Sequence, residues 1–420
     1  RLGWTGDAQA FSRTASYNMD VKNFFTKWLK DVAADQLPSG AVPFVIPNVL
    51  GPNSVASAGW ADVATIIPWN MYLAYGDTAI LQQQYESMKN WVSYMRNNST
   101  NDLWNKGFHF GDWLFYRPAD DNDGRAAVTD KYLIAQCFYA YSTELVLNTA
   151  TVLGKTEDVK TYTELLERIK NAFLKEYVTP SGRLVSGTQT AYVLALNFDM
   201  LPKGLQQQAA KRLVENIASY NNHLTTGFLG TPYLCHVLSR FGYTDVAYKL
   251  LLQESYPSWL YPVKMGATTI WERWDGQKPD GSFQTPGMNS FNHYAYGAIG
   301  DWMYRIIAGI DTYADAPGYR KIKIQPHMES GINEVAANYE TSYGLVGSHW
   351  KSDSNQVQMD VVIPANTRAI IYIPAKEPTL IEESNQPLRH VVELKVIGRE
   401  KEYVMLESGS GKYSFTIKKQ

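Results

Sequence analysis

The stretch GATTIWERWDG, Gly266 to Gly276, sets two carboxylates, Glu272 and Asp275, among Trp271, Arg273 and Trp274. Two carboxyl groups facing one bond are what acid/base cleavage of a glycoside requires. A carboxylate walled by indoles is partly desolvated, which raises its pKa and its basicity. Glu272 is therefore the leading candidate for a general base; its plainer reading is an ion pair with Arg273 at a helix start. NSFNHYAYGAIGDWMYR follows at once, with His293 between Asn292 and Tyr294. That histidine is either part of a site or a hydrogen-bonded structural residue amid aromatics.

Three more stretches repeat the pairing of acid and indole. FGDWLFY places Asp112 beside Trp113, GWADVATIIPW carries Trp60 and Asp62, and RLGWTGDAQ carries Trp4 and Asp7. Trp and Tyr rings stack on the C–H faces of sugars, while hydroxyls need polar groups close by. Each acid also has a local role open to it: Asp7 and Asp62 as helix caps or first-turn acids, Asp112 as a turn residue. Taken together they form Trp–carboxylate pairs at loop–helix junctions, and such junctions converge at one end of a helical barrel. The residues alone point to a carbohydrate-active chain, most simply a hydrolase.

The elements that must position them fall in two halves. Up to about residue 310 apolar residues recur at helical spacing: Leu81, Tyr85, Met88, Val92 and Met95 on one face, with Asp77 as an N-cap, and Tyr162, Leu165, Ile169 and Phe173 on another. About ten helices are expected, with long Gly- and Pro-rich loops over 36–59 and 104–128 able to carry function. Past DTYADAPGYR the pattern turns to short alternating runs, KIKIQP, EVAANYET, GLVGSHWKS, QVQMDVVIP, AIIYIPA and YSFTIKK. These read as an antiparallel β-sandwich. The expected division is a helical domain over 1–316 and a β-domain over 317–420.

Composition narrows the classes. With 45% hydrophobic and 19% charged residues the chain can bury a large core, and a net charge of −2 without a basic block argues against nucleic acid. The 13% aromatic content, including 12 Trp and 28 Tyr, favours carbohydrate over other ligands. The longest apolar runs are broken well short of a membrane span of about 20 residues. Cys137 and Cys235 are expected reduced, in helices. There is no Gly-rich phosphate loop, HExxH or CxxC, so no cofactor or metal is expected, and Asp120-Asp121-Asn122-Asp123 reads as a solvated loop. The overlapping sequons of NNST, Asn97 to Thr100, leave the compartment open.

With those residues in place, the sequence resembles the catalytic region of the α-L-rhamnosidases of glycoside hydrolase family 78. The stretches that carry the likeness are RLGWTGDAQAF, GWADVATIIPW, FGDWL, GTQTAYVLAL, ATTIWERWDG, NSFNHYAYGAIGDWMYR and PGYRKIKIQP, in order from residue 1 to about 325. The resemblance implies a mainly α fold, an (α/α)6 six-hairpin barrel followed by a C-terminal antiparallel β-sandwich. It implies a pocket for terminal α-L-rhamnose, cleaved with inversion. By motif, Glu272 matches the general base; Trp4, Asp7, Trp60, Trp113 and His293 match sugar-binding residues, with Trp113 in an apolar wall suited to the C6 methyl. Asp62 and Asp112 stand beside those tryptophans and are placed in the pocket with them.

In the family, the glutamate directly before RLGW is the general acid, preceded by Asp, Cys-Pro and Arg. The chain starts at Arg1, so the expectation is that the acid, N-terminal β-domains and the barrel's first helical elements lie upstream. Two other readings compete: a module that binds rhamnose without cleaving it, and a rhamnosyl-glucuronate lyase on a related barrel, for which Arg117 and Arg273 are the available cations. The aglycone and linkage stay open.

Overall fold

A computed structural model describes residues 2–117 and 127–419; the Asp120–Asp123 run lies outside them. By packing, the chain divides into two compact units. One comprises 1–14, 21–70 and 78–299, the other 15–20, 71–77 and 300–420. The expected division at 316/317 falls inside the second unit, between its first two strands.

Ten helices of eight residues or more are present among the described residues: α1 (Thr5–Asn18), α2 (Lys22–Asp35), α3 (Val63–Tyr75), α4 (Thr78–Asn97), α5 (Lys131–Val152), α6 (Thr156–Tyr177), α7 (Gln189–Asn197), α8 (Lys203–Ser219), α9 (Thr231–Arg240) and α10 (Thr244–Leu251). A one-turn α11 (Leu260–Lys264) and a helical run over 295–307 complete the set. The helices alternate in character. α6 buries one stripe, Tyr162, Leu165, Ile169, Phe173 and Tyr177, as its 3–4 spacing dictates. α5 instead buries residues on every face from Leu133 to Ala150, and α7 buries all of Gln189 to Leu196. A helix apolar all round must be enclosed by others, so α5 and α7 are inner helices and α6 is outer.

Contacts between inner helices run in a closed ring. Asn70 on α3 donates to the Ser12 hydroxyl of α1 at 2.8 Å, and the hydroxyls of Thr65 on α3 and Ser142 on α5 meet at 2.7 Å. α5 packs on α7, α7 on α9, and α9 on the helical turn at 295–298. Thr14 of α1 then donates to the Ala298 carbonyl at 3.2 Å. Because each outer helix returns antiparallel to its partner, every inner helix runs the same way, and their N-termini gather at one end. Asp130 caps α5 by accepting from Tyr132 and Leu133, and Thr188 caps α7 by accepting from Ala191. Both cysteines sit in helices, Cys137 in α5 and Cys235 in α9; they are buried and unbridged.

The second unit holds two sheets. β1 (Ile310–Thr312), β2 (Lys321–Ile324), β6 (Arg368–Pro374), β10 (Tyr403–Ser408) and β9 (Leu394–Glu400) form one, in the order β1-β2-β6-β10-β9. The other, in the order β3-β4-β5-β11-β7-β8, is built from β3 (Glu334–Thr341), β4 (Gly344–Ser352), β5 (Gln356–Ile363), β7 (Ile381–Glu383), β8 (Gln386–Pro387) and β11 (Gly411–Lys418). Alternation fixes the buried faces: Ile324 lies beside Ile371 and Ile371 opposite Leu406, while Trp350 lies opposite Met359. One pairing departs from a wholly antiparallel arrangement. β2 and β6 are parallel, which the long connection through β3–β5 permits.

Candidate active site

The junctions ahead of α1, α3, α5, α9 and the 295–307 run all deliver side chains to one cavity. Ahead of α1, Gly3 to Thr5 pair with the 44–46 segment: Thr5 N–H donates to the Phe44 carbonyl at 3.0 Å and Ile46 N–H to Gly3 at 2.9 Å. That fixes Trp4, while Asp7 follows in the first turn of α1. Ahead of the last inner segment, 269–272 and 290–293 lie side by side. Glu272 N–H donates to Ser290 and His293 N–H to Ile270, both at 2.9 Å, and the Thr269 hydroxyl bonds the Phe291 carbonyl. This short ladder sets Glu272 and His293 across from one another.

These residues line one cavity of about 530 Å³. Its polar lining is Asp7, Glu272, His293, Asn289 and Ser290; its apolar lining includes Trp4, Trp60, Phe110, Trp113 and Phe228, the last packed against the His293 ring at 5.3 Å. Phe110 is the hub of the apolar lining, with Trp60 at 4.7 Å, Trp113 at 5.8 Å and Trp4 at 6.0 Å between ring centroids. In the polar lining Asp7 Oδ1 lies 2.7 Å from His293 Nε2, and Glu272 Oε1 lies 3.9 Å from the same nitrogen. All three side chains are buried. A carboxylate that close to a second, with an imidazole between, can orient hydroxyls or a water and accept a proton.

Of the residues singled out by sequence, Trp4, Asp7, Trp60, Trp113, Glu272 and His293 meet in this cavity, whereas Asp62 and Asp112 do not line it. The reason is local. Asp62 turns into the protein, accepting from Gly59 N–H at 2.7 Å, Trp91 Nε1 at 2.9 Å and Ser142 Oγ at 2.6 Å. Burial pushes its carboxyl up to about 6 against the pull of those three donors. Asp112 turns toward the α9 junction, where the Thr190 hydroxyl and the N–H groups of Gly227, Leu229 and Gly230 all donate to it. Burial raises its pKa too, with the same four donors opposing.

Neither indole near Glu272 in sequence, Trp271 or Trp274, lines this cavity. Trp271 packs edge-on against Phe291, and Trp274 stacks on Tyr296 at 3.8 Å while donating to the Thr226 carbonyl. The enclosure of Glu272 comes from the cavity's other walls. Arg273 forks onto Asp275 at 2.8 and 3.4 Å. Sequence reasoning, which looked for a tryptophan beside an acid, missed Phe110 and Phe228, next to the junction glycines Gly111 and Gly227. A second cavity of about 520 Å³ adjoins, sharing Phe110, Trp113 and Met288 with the first and bordered by Tyr116, Tyr256 and Arg273. Among the described residues no group of three or more His, Cys, Asp or Glu could hold a metal ion, and no helix is long and apolar enough to cross a membrane.

A closed ring of inner helices, alternating along the chain with outer ones and opening a carboxylate- and aromatic-lined cavity at its N-terminal end, defines a six-hairpin glycosidase domain. Residues 1–307 match the family described as the bacterial α-L-rhamnosidase 6 hairpin glycosidase domain, and 309–387 match the bacterial α-L-rhamnosidase C-terminal domain. The chain belongs to the bacterial α-L-rhamnosidase family. It is 41% identical to an α-L-rhamnosidase of Formosa agariphila over 420 residues, covering 100% of this chain and 45% of that protein. An α-L-rhamnosidase of Streptomyces avermitilis is 41% identical over 99% of the chain and 38% of its own length. The crystal structure of Streptomyces avermitilis α-L-rhamnosidase complexed with L-rhamnose superposes with a TM-score of 0.91 at 40% identity, over 99% of this chain and 38% of that one. That of the Aspergillus terreus enzyme gives 0.88 at 35%, over 99% and 46%. The chain thus spans less than half the length of these relatives.

Proposed function

We propose that the cavity holds a terminal α-L-rhamnosyl residue and that the chain is the hydrolytic core of an inverting α-L-rhamnosidase. The observation that carries this reading is the mixed lining of the cavity. Rhamnose offers one methyl and several hydroxyls, and the cavity offers five aromatic side chains together with Asp7, His293, Glu272, Asn289 and Ser290. The L-rhamnose complex of the Streptomyces avermitilis relative supports the same occupant.

Glu272 is the general base. Its carboxylate takes a proton from water as the water oxygen bonds to the anomeric carbon, and the glycosidic C–O bond breaks on the opposite face. Inversion places base and acid about 6.5–9.5 Å apart with the water between. Asp7, held by His293, binds hydroxyls. The leaving oxygen takes its proton from the carboxyl that the family resemblance sets just before Arg1. General acid or base help of this kind contributes about 10²–10⁴-fold.

The test is release of aryl alcohol from a chromogenic aryl α-L-rhamnoside by the chain, by a version extended upstream, and by Glu272→Gln in each, with the anomer of released sugar read by proton NMR. Turnover by the extended chain alone, lost in Glu272→Gln, with the β-anomer released first, is expected. Full activity that survives Glu272→Gln would remove Glu272 from its role. Rhamnose binding by an inert extended chain would favour the binding module.

A further inference from the structure

Asp112 does not line this cavity but lines the adjoining one, and its carboxylate is heavily bonded. Beside the Thr190 hydroxyl, its oxygens accept from Gly227 N–H at 2.8 Å, Leu229 N–H at 2.8 Å and Gly230 N–H at 3.1 Å. These bonds tie the junction ahead of α5 to the junction ahead of α9. The same two segments are joined by Phe228 N–H to Trp113 carbonyl at 2.9 Å and Tyr116 N–H to Thr225 carbonyl at 3.0 Å. Two features show how closely they are drawn. A Cβ on Gly227 would stand 2.2 Å from the Trp113 carbonyl oxygen, so only glycine fits there. Leu114, with φ 56°, sits in the left-handed region that L-residues avoid, its carbonyl held by the Tyr296 hydroxyl at 2.8 Å. Backbone in such a state persists only where its surroundings over-determine it. What this clasp delivers to the cavity is the pair of aromatic side chains next to it, Trp113 and Phe228.

We propose that Asp112 is a positioning residue for sugar discrimination: the clasp it closes sets the spacing of Trp113 and Phe228, and that spacing admits a methyl at C6 while disfavouring a hydroxymethyl. The inference rests on the reading of this cavity as a rhamnose site. A methyl against two aromatic rings needs no partner, whereas a hydroxyl there loses its water without gaining an acceptor. Loosening the clasp lets water follow the hydroxyl in, so discrimination falls along with affinity.

The experiment is calorimetric titration of L-rhamnose and of L-mannose, the same sugar with a C6 hydroxyl, into the wild-type chain, Asp112→Asn and Thr190→Val. Asparagine keeps the volume but turns an N–H donor toward backbone N–H groups. Thr190→Val removes one hydroxyl and leaves the three backbone donors in place. In Asp112→Asn the rhamnose Kd should rise about ten-fold, and the preference for rhamnose over mannose should fall about five-fold. Thr190→Val should shift both in the same direction by less. A merely structural role would lower the binding stoichiometry and the melting temperature while leaving the preference intact, and that outcome overturns the proposal. If Asp112→Asn does not fold, an unchanged preference in Thr190→Val overturns it just as well. Failure of the wild-type chain to bind either sugar would overturn the cavity reading and this proposal with it.

Discussion

His293 donates its Nε2 proton to Asp7 across 2.7 Å while its Nδ1 accepts the Ala295 N–H at 3.3 Å. Both ring nitrogens are committed, which holds the imidazole in one tautomer. His293→Phe leaves the Asp7 carboxylate without that donor at the cavity wall. Affinity for L-rhamnose should drop about ten- to hundred-fold, the worth of a hydrogen bond to a charged group. His293→Gln, which can still donate, should recover part of the loss. Titration of free sugar reads both, and equal affinity in His293→Phe would remove this pair from the site.

Glu272→Gln should separate chemistry from binding. In an upstream-extended enzyme its turnover should fall by about 10²–10⁴-fold, while L-rhamnose affinity stays close to that of the wild type. A parallel loss of affinity would mean that Glu272 binds the sugar more than it activates water.

Asp62 and His109 impose opposite pH dependences on stability. Burial raises the Asp62 carboxyl from its ordinary 3.8 to about 6, so its contribution is fullest below pH 4 and is lost as pH rises toward 6. Burial lowers the His109 imidazole from 6.5 to about 4. The neutral ring accepts from Ala58 N–H at 3.0 Å, and its contribution is fullest above pH 6.5 and is lost as pH falls toward 4. Each amounts to about 3 kcal/mol at roughly 1.4 kcal/mol per pH unit, so between pH 4 and 6 the two nearly offset. Asp62→Asn should expose the histidine slope, with stability relative to wild type improving as pH rises across that window. Denaturant melts at closely spaced pH values test this, and a gap independent of pH would refute it.

Gly6 lets an indole lie against α1. A Cβ there would come within 2.6 Å of the Trp60 ring, which packs in turn on Phe110. Gly6→Ala should therefore cost about 1–3 kcal/mol, as overpacking does, and weaken sugar binding by moving Trp60. Gly204 in α8 has nothing within 4 Å of an added Cβ, so Gly204→Ala should instead stabilise by about 0.4–1 kcal/mol. Thermal melts of the two variants should move in opposite directions.

Periodicity made the helices legible. Leu81, Tyr85, Met88, Val92 and Met95 are all buried along α4, as their spacing predicts, because a single apolar stripe has one way to face a core. The strands β9 and β10 escaped notice: Lys395 to Glu400 is largely exposed on an edge and offers no clean alternation. Residue type and junction position picked out Trp4, Asp7, Glu272 and His293, which line one cavity. Asp62 and Asp112, picked out the same way, do not line that cavity. An acid beside a tryptophan can face ligand or backbone, and what decides is the supply of donors. Those donors come from Trp91 and Ser142 in one case and from the 227–230 backbone in the other, which no local pattern announces. The parallel β2–β6 pair was hidden for a related reason, since it joins segments separated by three other strands.

The bond from Thr14 to Ala298 and the meeting of Asp7 with His293 bring together the earliest and latest parts of the helical ring. On a ribosome adding about 5–20 residues per second, the Asp7–His293 pair cannot form while only the first helices have emerged. With five inner helices made, the cavity still lacks Glu272 and His293. The cavity is completed only with the final segment, which carries Glu272 and His293 to it, so an intact cavity reports that the ring has closed.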